Sequence, residues 1–215
     1  MKRNQGPLDN IMLFEGYNPI LLEKRSPMAA DANTVEDLLG IRYKIDVDPA
    51  TQQLGVIERP TAFKRAWMAY QPIVTETDNV TKTMKAGGIN YRNQVVLEKS
   101  PTMSLGNLPS DSIPHAVNCT EYTNNQFSYT VKTDKAGILC MSEIWYPAWK
   151  ATIDGQPAEV LRINYSLRGV EVPAGEHTIV MKYDSDAFHT GAWISLSSLV
   201  LTLGAVVFFR IKEKA

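Results

Sequence analysis

Residues 138–183 read ILCMSEIWYPAWKATIDGQPAEVLRINYSLRGVEVPAGEHTIVMKY. Short apolar alternations are interrupted by Trp145-Tyr146-Pro147-Ala148-Trp149, by Asp154-Gly155 and by Pro173-Ala174-Gly175. A period of two places alternate side chains on opposite faces, and an Asp-Gly pair between two such runs supplies the positive φ that a tight hairpin needs. The stretch therefore reads as antiparallel β-structure.

Working outward, strands are expected at 116–122, 126–133, 137–145, 150–153, 159–163, 166–172 and 177–183. Short strands with tight turns at this spacing predict a jelly-roll-like antiparallel β-sandwich over 115–185. Upstream, residues 99–114 carry Pro101, Gly106, Pro109 and Pro114 among Ser and Asn without an apolar period, and are expected as a linker. Residues 1–98 read as an α+β region. Asn33 followed by Glu36 has the spacing of a capping box, with Gly40 closing a short helix. Strands are expected at 41–47, 54–57, 66–74 and 94–98, the third shortened or placed at an edge by Pro72. A second short helix is expected from about 78 to 85. Residues 11–22, interrupted at Gly16 and Pro19, read as a short helix or extended segment.

Downstream, residues 187–209 contain no charge. At ~1.5 Å per residue that length gives a helix of roughly 34 Å, enough for a ~30 Å hydrocarbon core. Trp193 suits the interface, Arg210, Lys212 and Lys214 follow the span, and Asp184 and Asp186 precede it. The positive-inside rule then puts residues 210–215 in the cytoplasm and the β-domain outside. A buried hydrophobic helix is the competing reading. Gly191, Ser195, Ser198, Thr202 and Ala205 recur at intervals of three and four, forming a stripe suited to packing on other transmembrane helices.

A net charge of −1 and a pI near 6.3 argue against nucleic-acid binding. Cys119 and Cys140 read either as a bridge or as two buried thiols. His115, His177 and His189 share no ligand spacing with Cys or a carboxylate, so neither a metal nor another cofactor is expected. The first ten residues carry basic groups without an apolar run behind them, unlike a secretory signal.

Several residues invite a functional reading and have a structural one beside it. Trp145, Tyr146 and Trp149 offer aromatic faces to a pyranose ring; core or corner packing is the commoner role of such residues. Arg162, Asn164, Tyr165 and Arg168 form a polar cluster able to contact a glycan or an anionic lipid headgroup, while solvated strand faces and a salt bridge account for the same residues. Asp154 reads as a turn residue, and His177 as structural, with no hydrogen-bonded partner evident in the neighbouring sequence. No catalytic residue is assigned.

The run SEIWYPAWKATIDGQPAEVLRINYSLRGVEVPAGEHTIVMKY, followed by a closing membrane helix, resembles the C-terminal end of YfhO-type bacterial membrane proteins. The resemblance lies in Tyr146-Pro147-x-Trp149, Asp154-Gly155, Asn164-Tyr165 with Arg168, and Pro173-Ala174-Gly175-x-His177. Weaker echoes occur at Gly16-Tyr17-Asn18-Pro19, at 38–45 and at 95–98. It implies a polytopic protein of GT-C type in the bacterial inner membrane, transferring a sugar from a polyprenyl-phosphate donor to a cell-envelope acceptor. In that family an acidic residue in an early extracytoplasmic loop carries the chemistry, and neither that loop nor the early helices are present in this sequence. The chain is therefore expected to be a fragment or truncated relative, serving as a non-catalytic extracytoplasmic module. A free-standing, membrane-tethered glycan-binding sandwich is the alternative.

Overall fold

The structure, a computed structural model, describes residues 24, 26–47 and 52–214. The expectation for 11–22 lies outside them. Two sheets pack face to face. One has five strands: β6 (His115–Tyr122), β7 (Gln126–Thr133), β9 (Trp149–Ile153), β10 (Gln156–Ala158) and β13 (Gly175–Tyr183), in the order β10-β9-β13-β7-β6. The other has six: β3 (Ala66–Ala69), β4 (Gln71–Val74), β5 (Gln94–Leu97), β8 (Gly137–Ile144), β11 (Leu161–Ile163) and β12 (Leu167–Val172), in the order β3-β8-β12-β11-β5-β4. All pairings in both sheets are antiparallel except that of β4 with β5. Pro72 lies on the edge strand β4, where its missing N–H costs no ladder bond.

Period-two alternation sorts the six-stranded sheet into two cores. Leu139 and Met141 of β8 point between the sheets with Tyr70, Tyr129, Val131, Val170, Val172 and Ile179. Ile138 and Cys140 point the other way, into a layer closed by helices α1 (Ala32–Leu38) and α2 (Val80–Lys85) through Leu38, Val80 and Met84. With both faces covered, every residue of β12 is buried, as in sheets sandwiched between layers. Gly169 of β12 is needed there: a Cβ would sit 3.0 Å from Ile138 Cγ2 and 3.1 Å from the Leu139 carbonyl oxygen. Each large apolar side chain taken fully out of water in these cores contributes roughly 1.5–3 kcal/mol.

The six-stranded sheet draws β3, β4 and β5 from one side of residues 99–114 and β8, β11 and β12 from the other. Those intervening residues, expected as a linker, are themselves packed. The buried Glu171 carboxylate accepts from the N–H groups of Thr102 and Met103, each at 3.0 Å, and Ser110 Oγ donates to the carbonyls of Met68 and Arg92. Ile113 enters the inter-sheet core.

Several local expectations are revised. Asp31, not Asn33, caps α1, its Oδ1 accepting from Thr34 N–H at 2.9 Å. Glu36 instead pairs with Arg59 and Lys44. The single strand expected at 66–74 breaks at Tyr70, whose N–H and that of Gln71 both donate to Asn93 O while the phenol goes into the core. A 3-10 turn at Thr77–Asn79 precedes α2. The thiols of Cys119 and Cys140 are both free, and only Cys140 is buried; the cysteines stand on strands of different sheets.

Strands β1 (Tyr43–Val47) and β2 (Leu54–Glu58) form a separate two-stranded ribbon. The closing element is α3 (Asp186–Lys214), whose described side chains are all exposed. It starts directly from the sandwich. Tyr183 N–H donates to Asn125 O and Asp184 N–H to Ala148 O, both at 2.8 Å, and Ser185 Oγ accepts from Phe188 N–H as the helix begins.

Candidate functional site

Hairpin chemistry fixes the positions of the residues around the candidate site. Asp154 and Gly155 have φ of +51° and +80°, forming the turn between β9 and β10. Asn164 and Tyr165, at +44° and +73°, turn β11 into β12. Asn tolerates this left-handed region, while for Tyr it carries strain. The buried Asn164 side chain has a further task, accepting from Val96 N–H at 2.9 Å and so stitching β5 to the turn. Tyr165 packs on the helix-side core, with Lys24 Nζ 4.9 Å from its ring centroid. These two residues shape the fold.

Trp145 and Arg162 come together in a cleft. It is a cavity of about 210 Å³ lined by Leu97, Glu98, Lys99, Trp145, Glu159 and Arg162, with Val160 and Leu161 behind. The indole is oriented by its N–H, which donates to Val160 O at 3.1 Å, and the Arg162 guanidinium lies 5.3 Å from its ring centroid. Arg162 Nε and Nη2 donate to the two oxygens of Glu98 at 2.7 and 2.5 Å, a bidentate fork. Burial works against the Glu98 anion, yet hydrogen bonds from Arg162 and Thr77 outweigh it and hold the carboxyl below its usual range. Across the mouth, Lys99 is paired with Glu159. The space is smaller than the ~300 Å³ at which ligand pockets commonly begin.

Trp149 and Arg168 belong to a different place. The Arg168 guanidinium stacks 3.9 Å from the Trp149 ring centroid and 5.1 Å from that of Phe127, between the sheets. At 2 % exposure Arg168 is interior, and burial pulls its pKa down to about 10 against the opposing pull of Glu143. Glu143 is the hub of this cluster. It accepts from Arg65 Nη1 at 2.7 Å, from Tyr122 OH at 2.8 Å and from Arg168 Nη2 at 3.4 Å. One carboxylate thus serves two guanidinium groups. Tyr146 touches neither guanidinium; its ring lies 6.3 Å from that of Tyr183, which in turn meets the Trp149 ring edge-on at 5.5 Å.

Of the seven residues singled out in the sequence, the structure pairs Trp145 with Arg162 and Trp149 with Arg168, and places Tyr146, Asn164 and Tyr165 elsewhere. Glu98, Lys99, Glu159, Glu143, Arg65 and Tyr122 complete the two clusters and were not anticipated. Alternation placed Glu143 and Glu98 within or next to strands, but nothing local indicates their partners. His177 also has a partner that its neighbouring sequence did not reveal. Its Nδ1 lies 2.6 Å from Asp154 Oδ2, and Asp154 Oδ1 accepts from Thr178 N–H. That hydrogen bond raises the His177 pKa and lowers that of Asp154. Asp154 is therefore a turn residue tied across the β9–β13 pair.

A β-sandwich covered on one face by two short helices and continued by a long apolar helix is the architecture of a membrane-anchored domain. Residues 104–195 match the model of the family described as bacterial membrane protein YfhO, and this region of the chain is of the YfhO type. The matched stretch takes in β6 to β13 and ends inside α3, and β3, β4 and β5 of the six-stranded sheet lie before it. Neither the comparison with curated proteins nor that with solved structures gave a match. The family match and the apolar helix together place the protein in a membrane.

Proposed function

We propose that this chain is a non-catalytic extracytoplasmic module of a YfhO-like membrane protein, part of a glycosyltransferase that uses a polyprenyl-phosphate sugar at the cell envelope. The observation that carries the reading is the family match running from the sandwich into α3 without a break. In this reading the protein lies in the bacterial inner membrane, with the sandwich outside and residues 210–215 in the cytoplasm. The stripe of Gly191, Ser195, Ser198, Thr202 and Ala205 packs on other transmembrane helices. Sugar chemistry is carried by the remainder of the enzyme, and the sandwich contacts the acceptor glycan or the lipid-linked donor. Its contact residues are Trp145 and Arg162 in the cleft and Tyr146 at the rim. Arg168 stands opposite Arg162 in the β11–β12 pair, Asn164 and Tyr165 form the turn that joins those strands, and Trp149 stacks on Arg168.

Orientation is tested with the cysteines already present. Cys119 is exposed on β6 and Cys140 is buried. In intact spheroplasts a membrane-impermeant maleimide is expected to label Cys119 and to spare Cys140; labelling of Cys119 only after lysis would reverse the topology.

The cleft also favours a second reading, a free-standing tethered glycan-binding sandwich. Trp145→Ala, with circular dichroism unchanged, is expected to abolish glycan-induced shifts in the NMR spectrum. No shift in the unmodified protein at millimolar glycan would remove the sugar contact from both readings.

A further inference from the structure

The ribbon β1–β2 presents an apolar face that nothing among the described residues covers. The register pairs Tyr43 with Glu58, Ile45 with Val56 and Val47 with Leu54, so these side chains share one face. Tyr43, Ile45, Val47, Leu54 and Val56 are 57, 55, 44, 74 and 69 % exposed. The opposite face carries Lys44, Asp46 and Ile57, and its tie to the domain is the pairing of Lys44 with Glu36 of α1. A two-stranded ribbon is marginal by itself in water, and a contiguous apolar face of this kind marks a contact surface.

The position of the ribbon identifies the contact. Its root is closed by Arg59 N–H donating to Arg42 O, and the chain on either side leads to the end of β8. A Cβ on Gly40 would lie 3.4 Å from Ser142 Oγ, Ser142 N–H donates to Arg65 O, and Arg65 reaches Glu143 and Tyr122. This is the end of the sandwich at which β13 pairs Tyr183 with Trp149 and passes into α3. Tyr146 and Tyr183, stacked and 41 and 38 % exposed, stand on the same rim. Because α3 begins three residues after Tyr183, the headgroup layer lies within about a helical turn of that rim, at ~1.5 Å per residue. Tyrosines with an apolar ring and a polar tip belong at that level.

We propose that the apolar face of β1–β2, together with the Tyr146–Tyr183 pair, is a second membrane contact. It seats in the headgroup and upper acyl region of the bilayer beside α3, so that the domain rests on the lipid at two separate points. The proposal rests on α3 crossing the bilayer.

The test uses the full chain with Cys119→Ser, reconstituted as single copies in phosphatidylcholine–phosphatidylglycerol nanodiscs. Spin labels are placed singly at Leu54→Cys, at Leu201→Cys in α3 and at Lys132→Cys on the solvent face of β7. Collision with oxygen is compared with collision with a water-soluble nickel chelate. Leu54 and Leu201 are expected to favour oxygen several-fold over Lys132. If Leu201 favours oxygen while Leu54 favours nickel, the span stands and the ribbon contact is wrong. If both reagents are excluded from Leu54, protein covers the ribbon and the lipid contact is wrong. If Leu201 favours nickel, the span itself fails and the proposal with it.

Discussion

The two sheets of the sandwich share a core and differ in what lies behind them. Behind the six-stranded sheet stand α1 and α2, and its strand β12 is buried at every residue even though it contains Arg168 and Glu171. Behind the five-stranded sheet is solvent, and in its central strand β13 only Ile179 and Met181 are buried. A strand's sequence states which residues alternate; the layer behind it decides whether the outward set is wet or dry. The consequence is chemical as well as geometric. Glu171, on the face that meets the helical layer, needs protein partners, whereas Lys132 and Glu176 on the five-stranded sheet are exposed to solvent.

That contrast can be tested by denaturation of the full chain in detergent. The largest expected loss is from Glu143→Ala, which leaves Arg168 buried with no counter-charge and should cost about 3–5 kcal/mol. Arg168→Met, which keeps Glu143 paired with Arg65 and Tyr122, is expected to cost less. Equal losses would show that the interior charge is not what the carboxylate serves. Next comes Ile138→Ala, facing the helical layer, with an expected cost of ~2–5 kcal/mol by cavity formation; Lys132→Ala should change stability by less than ~0.5 kcal/mol. A value for Ile138→Ala as small as that for Lys132→Ala would mean that the helices do not cover the sheet in solution. Glu171→Ala strands the N–H groups of Thr102 and Met103 and should cost roughly 1–3 kcal/mol.

The smallest effect is on the solvent side, at Asp154–His177. With the His177 pKa raised by the hydrogen bond, its contribution is complete below the ordinary histidine value and fades as pH rises through the raised one. The lowered pKa of Asp154 works in the other direction: its contribution is present above the usual carboxylate value and is lost as pH falls through the lowered one. A proton NMR titration of the His177 ring is expected to show a midpoint above 6.5 that returns toward 6.5 in Asp154→Asn. No change in that variant would break the pairing.

The parts of this molecule that were legible in sequence are those whose cause is local. Asp154-Gly155 demands its turn, Pro72 demands an edge, and an uncharged run ending in Arg210 and Lys212 reads as a span. The strands β7, β8, β9, β11, β12 and β13 followed from alternation, whereas β10 (Gln156–Ala158), three residues with Pro157 at their centre, was not expected. What stayed hidden depends on residues brought together from far apart. Arg162 and Glu98 are 64 positions apart, and Glu143 is 78 from Arg65. A Pro- and Ser-rich composition at 99–114 suggested an exposed connection, because composition does not record that Glu171 waits to accept its backbone N–H groups. Asp31 displaced Asn33 as the cap because both types cap well and only the chain's path selects between them.

The absence of a spacer between β13 and α3 makes the sandwich a lever on the helix. Two backbone hydrogen bonds and the Lys150 pairs with Asp184 and Asp186 bind the junction. Strand β13, nine residues long, measures roughly 30 Å at ~3.3 Å per residue. A change of tilt of about 20°, within the ordinary range for membrane helices, would therefore sweep the far turn at Pro173–Gly175 through about 10 Å. A tilt of the helix would in this way be enlarged at the distal turns.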